Sequence, residues 1–134
     1  MEGTDPPDRR EEELIEIVPR DRRKPYKMRR ILDAVMDQGS VFELGSAFGR
    51  PVITALARLG GRPVGVLASD TEHYGGGLTG DASEKLARFV DTCDQFHLPV
   101  VNFVDVPGFV IGTAAERAGT IRRGSRALFS VYQV

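Results

Sequence analysis

Between Pro51 and Leu59 the side chains alternate, with Val52, Thr54, Leu56 and Arg58 on one side and Ile53, Ala55 and Ala57 on the other. A period of two predicts a strand. Gly60-Gly61 turns the chain and Arg62–Ser69 returns it, so an antiparallel hairpin is expected. Val41–Leu44 reads as a short strand ahead of the hairpin, followed by a glycine-bearing link. Pro99–Val104 is apolar and rich in β-branched residues, the pattern of a buried strand.

Helical spacing appears three times. Met28, Ile31, Leu32 and Val35 share one face of a helix predicted to begin at Pro25 and to stop at Gly39. Asp81-Ala-Ser-Glu84 has the form of a capping box with Asp81 as the cap. Behind it Ala82, Leu86, Phe89, Val90, Cys93 and Phe96 form a stripe, and His97 closes the helix where a cation suits the dipole. Thr113-Ala-Ala-Glu116 repeats the capping pattern, with Ala114, Ala118, Ile121, Ser125, Leu128 and Tyr132 at helical spacing after it.

Hairpin, loop, helix, strand, loop, helix is an α/β order. Val64–Ser69, the middle helix and Val100–Val104 make a right-handed crossover between parallel strands. The sheet looks too small to be covered on both faces, and Leu128–Val134 is apolar and helical without a stop signal. A truncated piece of a larger protein is therefore expected, with residues 1–24 as a charged linker and 25–134 as the domain. The first stretch holds Pro6, Pro7 and Pro19 among many charges and should be mobile, with Leu14, Ile15, Ile17 and Val18 able to form one docked turn.

The 134 residues suffice for one core. A net charge of −1 gives no global pointer to nucleic acid or membrane. One cysteine and no signal-like start suggest a reducing, cytoplasmic setting. Cys93 reads as core packing, since nothing nearby would depress its pKa. No Cys, His and carboxylate cluster has metal-ligand spacing. The basic cluster Arg20, Arg22, Arg23 and Lys24 is a solvated face or a phosphate site, the former favoured by the acidic residues just upstream.

The chemistry concentrates in two glycine loops. Asp105–Gly112 joins a strand to a helix start, and the free N–H groups there can hold a phosphate or stabilise an enolate or oxyanion. A plain connection without a ligand remains the alternative. Ser69–Gly80 carries Gly75-Gly76-Gly77, which permit flexibility or close approach of a ligand. His73 and Tyr74 stand beside them, His73 reading as a surface residue rather than a base.

Tyr26-Lys-Met-Arg-Arg-Ile, Ile53-Thr-Ala-Leu-Ala-Arg-Leu-Gly-Gly-Arg-Pro-Val-Gly-Val and Asp81-Ala-Ser-Glu-Lys-Leu-Ala-Arg-Phe-Val-Asp-Thr-Cys-Asp recur in one known family. So do Pro99-Val-Val-Asn-Phe-Val-Asp-Val-Pro-Gly-Phe-Val-Ile-Gly-Thr and Gly119-Thr-Ile-Arg-Arg-Gly-Ser. From Pro6 to Val134 the chain resembles the carboxyltransferase (β) subunit of biotin-dependent acyl-CoA carboxylases, of the propionyl-CoA carboxylase type.

The resemblance implies a crotonase-like fold and a partial C-terminal carboxyltransferase domain. It implies transfer of a carboxyl group from carboxybiotin to an acetyl- or propionyl-type acyl-CoA. Biotin would arrive on a partner carboxyl carrier domain, and subunits would assemble into a ring-like hexamer. No metal is implied, nor a nucleic-acid or membrane partner. The Gly112 N–H becomes the donor that stabilises the biotin enolate left when carboxybiotin releases CO2, with Gly108 in the same catalytic loop. Pro107, Phe109, Val110, Thr113, Gly76 and Gly77 become candidates for contact with biotin or substrate. No side-chain base is obvious, which suits a scheme in which released biotin is the base. The family's other donors lie outside this stretch, so the isolated chain is expected to be inactive.

Two segments depart from the family pattern. Gly75–Thr79 is richer in glycine where a Val-Leu-Asp-like run is usual, and Phe109-Val-Ile-Gly112 lacks the common proline before glycine. They leave open another acyl group or an acyl-CoA decarboxylase. A non-catalytic assembly remnant is the competing reading. A crotonase-type hydratase or isomerase is disfavoured, because no glutamate pair stands near either loop.

Overall fold

The computed structural model describes residues 5, 6, 8–21 and 23–133. The hairpin forms as its alternation predicts, β2 (Val52–Leu59) against β3 (Arg62–Ser69), with Val52 opposite Ser69 and Leu59 opposite Arg62. β1 (Phe42–Leu44) adds antiparallel to β2, and β4 (Val100–Phe103) adds parallel to β3, giving one sheet in the order β1-β2-β3-β4.

Both faces of this sheet are covered, contrary to the expectation from its size. On one face α2 (Met28–Val35) places Met28 and Leu32, with Met36 just beyond it, on Ile53, Ala55, Ala57, Val64, Val66 and Ala68. On the other, α3 (Gly80–Gln95) places Ala82, Phe89, Val90 and Cys93 over Val52 and Leu67. Small residues make the second contact possible. A Cβ on Gly65 would sit 2.4 Å from Cys93 Sγ. Cys93 is wholly buried and its thiol is pushed up by that burial, as a packing cysteine should be.

Several boundaries differ from expectation. Pro25 precedes the helix, which starts at Met28 and ends at Val35, short of Gly39. The chain leaves it early because Met36 turns extended to enter the core. Asp37 can then accept from Gly60 N and Gly61 N at 2.8 and 2.7 Å, fastening the hairpin turn. For α3 the cap is Thr79, whose Oγ1 accepts from Ala82 N at 3.1 Å, and Asp81 sits in the first turn instead, paired with Arg123 at 3.0 Å. Its other end is a Schellman closure, with Leu98 N donating to Cys93 O and His97 N to Asp94 O. His97 holds the left-handed position (φ 53) that glycine usually takes. Phe96 points away from the stripe assigned to it and is 67% exposed.

The last helical stretch is two helices. α4 (Thr113–Arg117) and α5 (Thr120–Gln133) are separated at Ala118-Gly119, where Gly119 has φ +68. Thr113 is not a cap: Gly112 occupies that position and no side chain completes the box. The buried face of α5 is Thr120, Gly124, Ala127 and Ser130, while Ile121 and Tyr132 are 73% and 87% exposed. α5 lies close against α3, and that proximity admits only small side chains.

At the start of the chain α1 (Leu14–Ile17) packs on α2. Arg9 Nη2 donates to Ala34 O and Met36 O at 2.8 and 2.6 Å, and Asp5 accepts from Gln38 N at 2.9 Å. This part of the charged stretch is thus anchored where mobility was expected. Its charged side chains find carbonyl and amide partners at the end of α2.

Candidate functional site

The two glycine loops meet. Leu78 N donates to Gly108 O and Val110 N donates to Leu78 O, both at 2.9 Å, which makes a single step of parallel pairing between Leu78 and Phe109. Gly76 is required at this junction, since a Cβ there would lie 2.6 Å from Asp105 O. The start of the second loop is held separately. Asp105 N donates to Ser69 Oγ at 3.0 Å and the Tyr26 hydroxyl donates to Asp105 Oδ2 at 2.7 Å. At the far end the Phe109 ring fills the space that a Cβ on Gly124 of α5 would need.

With the loop so held, Gly112 emerges at φ +119 into open space. Glu116 N bonds back to Gly112 O at 2.9 Å, while the N–H groups of Gly112, Thr113, Ala114 and Ala115 have no acceptor among the described residues. They open onto a groove of about 630 Å3. Its walls include Pro51, Val110, Ile111 and Ala118, and His73, Tyr74 and Arg50 stand along it. Free N–H donors beside an apolar wall suit a ligand whose oxygen gains negative charge.

The predicted site residues separate in space. Gly112, Val110 and Thr113 face this groove. Pro107 lines a second hollow of about 690 Å3 behind the loop, with Asp105, Arg23, Lys24, Tyr26 and Thr71. Gly108, exposed at φ +141, gives its carbonyl to Leu78. Phe109 is turned inward onto Gly124. Gly76 and Gly77 donate within their own turn, to His73 O and Tyr74 O, and pack beneath the second loop. Of the basic cluster, Arg23 pairs with Asp21 at 3.3 Å, and Arg22 lies outside the described residues.

Behind the groove lies a charge network that spacing alone did not reveal. Asp70 is wholly buried, and its Oδ2 accepts from Arg29 Nη1 at 2.7 Å. The same guanidinium forks onto both oxygens of Glu43 at 2.8 Å, a contact that with Asp70 holds it firmly charged. His73 Nδ1 is 3.3 Å from the same Asp70 oxygen, so His73 is anchored where a free surface residue was expected. Lys85 is buried nearby and donates to Val52 O at 2.7 Å, and its pKa is lowered by that burial. The only sequence hint of this cluster is an Asp three residues before a His.

Tyr26 carries a pH signature. Burial, and then the hydrogen bond to Asp105, push its hydroxyl up to about 12. The folded state therefore holds this proton more tightly than the unfolded chain does. The stability it contributes is present below about pH 10 and is lost as pH rises toward 12. Tyr26→Phe should flatten that loss, read by denaturation at about pH 9 and about pH 11. Equal declines in both proteins would show that the hydroxyl does not tether the loop.

Among the described residues no group of three or more His, Cys, Asp or Glu can hold a metal ion. Among them, too, no helix is long and apolar enough to cross a membrane.

A sheet covered by helices, with strand, glycine loop and helix start aiming free N–H groups into a groove, defines a crotonase-like α/β fold, here a partial domain. The chain belongs to the family described as the carboxyl transferase domain, which matches residues 1–134. It is 42% identical over 130 residues to the propionyl-CoA carboxylase carboxyltransferase subunit of Haloferax mediterranei, covering 97% of this chain and 25% of that one. It is 39% identical over 126 residues to the methylmalonyl-CoA decarboxylase subunit alpha of Veillonella parvula, covering 94% and 25%. Among solved structures it superposes on transcarboxylase 12S, with methylmalonyl-coenzyme A bound, at a TM-score of 0.85 and 40% identity, covering 88% and 23%. The chain spans about a quarter of the length of these relatives.

Proposed function

We propose that this chain is part of a carboxyltransferase that moves a carboxyl group between biotin and an acyl-CoA of the acetyl or propionyl class. Residues 1–24 serve as a connecting segment, and 25–134 form the first part of the domain that receives biotin. The observation that carries this reading is the set of unbonded N–H groups at Gly112–Ala115, opening on a groove with an apolar wall. A flat ureido ring with one accepting oxygen fits such a surface. Biotin, brought by a partner carrier domain, supplies the carboxyl group.

This chain's residues bind and orient. The Gly112 N–H donates to the oxygen that gains charge, and Val110 and Thr113 border it. Gly108, Phe109, Gly76 and Gly77 fix the loop that aims it, and Pro107 supports it from behind. Rigid, uncharged donors already in place stabilise developing charge without reorganising.

The test uses the natural polypeptide that carries this sequence, with methylmalonyl-CoA, malonyl-CoA and free biotin. Carboxyl transfer to biotin is the expected result, and none from residues 1–134 alone. A polypeptide that transfers nothing while binding its carrier partner would support the assembly remnant instead. Release of CO2 without transfer would mark a decarboxylase.

A further inference from the structure

We infer that His73, held by the buried carboxylate of Asp70, binds a carboxylate group in the groove together with Arg50. The inference deepens the carboxyl-transfer reading and rests on it for the identity of the ligand.

Asp70 is wholly buried, and its carboxylate collects Arg29 Nη1 at 2.7 Å, Glu72 N at 3.1 Å and His73 Nδ1 at 3.3 Å. A carboxylate oxygen only accepts, so Nδ1 carries the hydrogen and Nε2 is left to the groove. Nε2 has no hydrogen-bond partner among the described residues, and His73 lines the groove. This is more than a loop histidine needs. The backbone around it is also unusual, since Tyr74, Gly75 and Gly76 all have positive φ, and Tyr74 lacks the freedom of glycine.

The groove's charges select the ligand. Arg50 is exposed along it and has no ion-pair partner among the described residues. Among the described residues Asp81 is the one carboxylate lining it, and Arg123 occupies Asp81 at 3.0 Å. What remains is a free guanidinium, an imidazole able to take a second proton, and a wall of Pro51, Val110 and Ile111. That combination fits a ligand with an apolar body and a carboxylate end. On binding, Nε2 takes a proton from solvent and donates it to the carboxylate, and on release the proton returns. The groups that bias this equilibrium are Arg50 and Asp81 across the groove and Glu72 and Tyr74 on the same loop. Arg29, Glu43 and Lys85 stand behind it.

The experiment follows the His73 imidazole by 15N NMR in the natural polypeptide, its signals identified by their loss in His73→Asn. Malonate is the first probe, then malonyl-CoA against acetyl-CoA. The expected result is a ring that carries its hydrogen on Nδ1 and an Nε2 signal that moves when malonate is added. His73→Asn should bind malonate roughly tenfold more weakly. Asp70→Asn should lose the tautomer preference; if it does not fold, the Nε2 signal shift with malonate and His73→Asn decide alone. A shift with malonyl-CoA but not acetyl-CoA places the carboxylate on the acyl product. A shift with malonate and neither thioester places it on the biotin side. A ring protonated at Nε2, or no shift with any probe, overturns the inference. Carboxyl transfer is assayed in parallel. Transfer without a shift removes this inference alone, and a shift without transfer removes only the carboxyltransferase reading.

Discussion

Arg29→Ala should cost the fold about 3 kcal/mol, the lower end of what removing one partner of a buried ion pair costs. The figure sits low because the Arg29 side chain is itself 41% exposed, so solvent tempers the loss. It remains far above the value of a surface pair, because Asp70 is not exposed at all. Without the guanidinium, the Asp70 carboxylate keeps Glu72 N and the His73 ring among the described residues, and Glu43 loses its two contacts to Arg29. Asp70→Ala in the Arg29→Ala background should cost less than it does alone, since a charge stranded in the interior is worse than none. Urea unfolding with an unchanged m-value checks the Arg29→Ala loss and the comparison of the two Asp70→Ala costs. A loss under about 1 kcal/mol would class the network with surface pairs.

Gly112→Ala tests the site with little harm to the fold. Removing a glycine narrows the unfolded ensemble, which by itself favours folding by about 0.4–1 kcal/mol. Against that, φ +119 with ψ 164 belongs to a region that side chains avoid, at a cost of about 1–3 kcal/mol. The second effect is larger, so strain wins. Nothing lies within 4 Å of the added methyl, so the chain escapes by rotating the peptide rather than by clashing. The N–H then points elsewhere. Under the carboxyltransferase reading kcat should fall on the order of 10²–10³-fold, with stability changed by only about 1–2 kcal/mol. Retention of kcat within a few-fold would remove Gly112 from the donor role.

The strands were legible because alternation at Val52–Leu59 and the Gly60-Gly61 turn act over short range. α3 was legible because its stripe is large and apolar and, apart from Phe96, packs onto the sheet. α5 was not, and the reason is instructive. Its buried face is Thr120, Gly124, Ala127 and Ser130, so hydrophobic periodicity points to the opposite side, where Ile121 and Tyr132 are exposed. Close packing on α3 selects for size rather than for hydrophobicity. The caps were misplaced by competition between neighbours, with Thr79 two residues before Asp81 and Gly112 one before Thr113. The family resemblance picked out the loop that carries Gly112. Neither resemblance nor spacing picked out Asp70, whose burial depends on an arginine 41 positions away.

The single pairing step between Leu78 and Phe109 has a consequence for how such a chain can evolve. The loop is tied upstream where Asp105 meets Ser69 and downstream where Phe109 meets Leu78 and Gly124. Adding or deleting one residue between those ties would turn the phenylalanine out of its seat and carry Gly112 with it. Lineages descended from this fold should therefore keep the count from Asp105 to Gly112 constant.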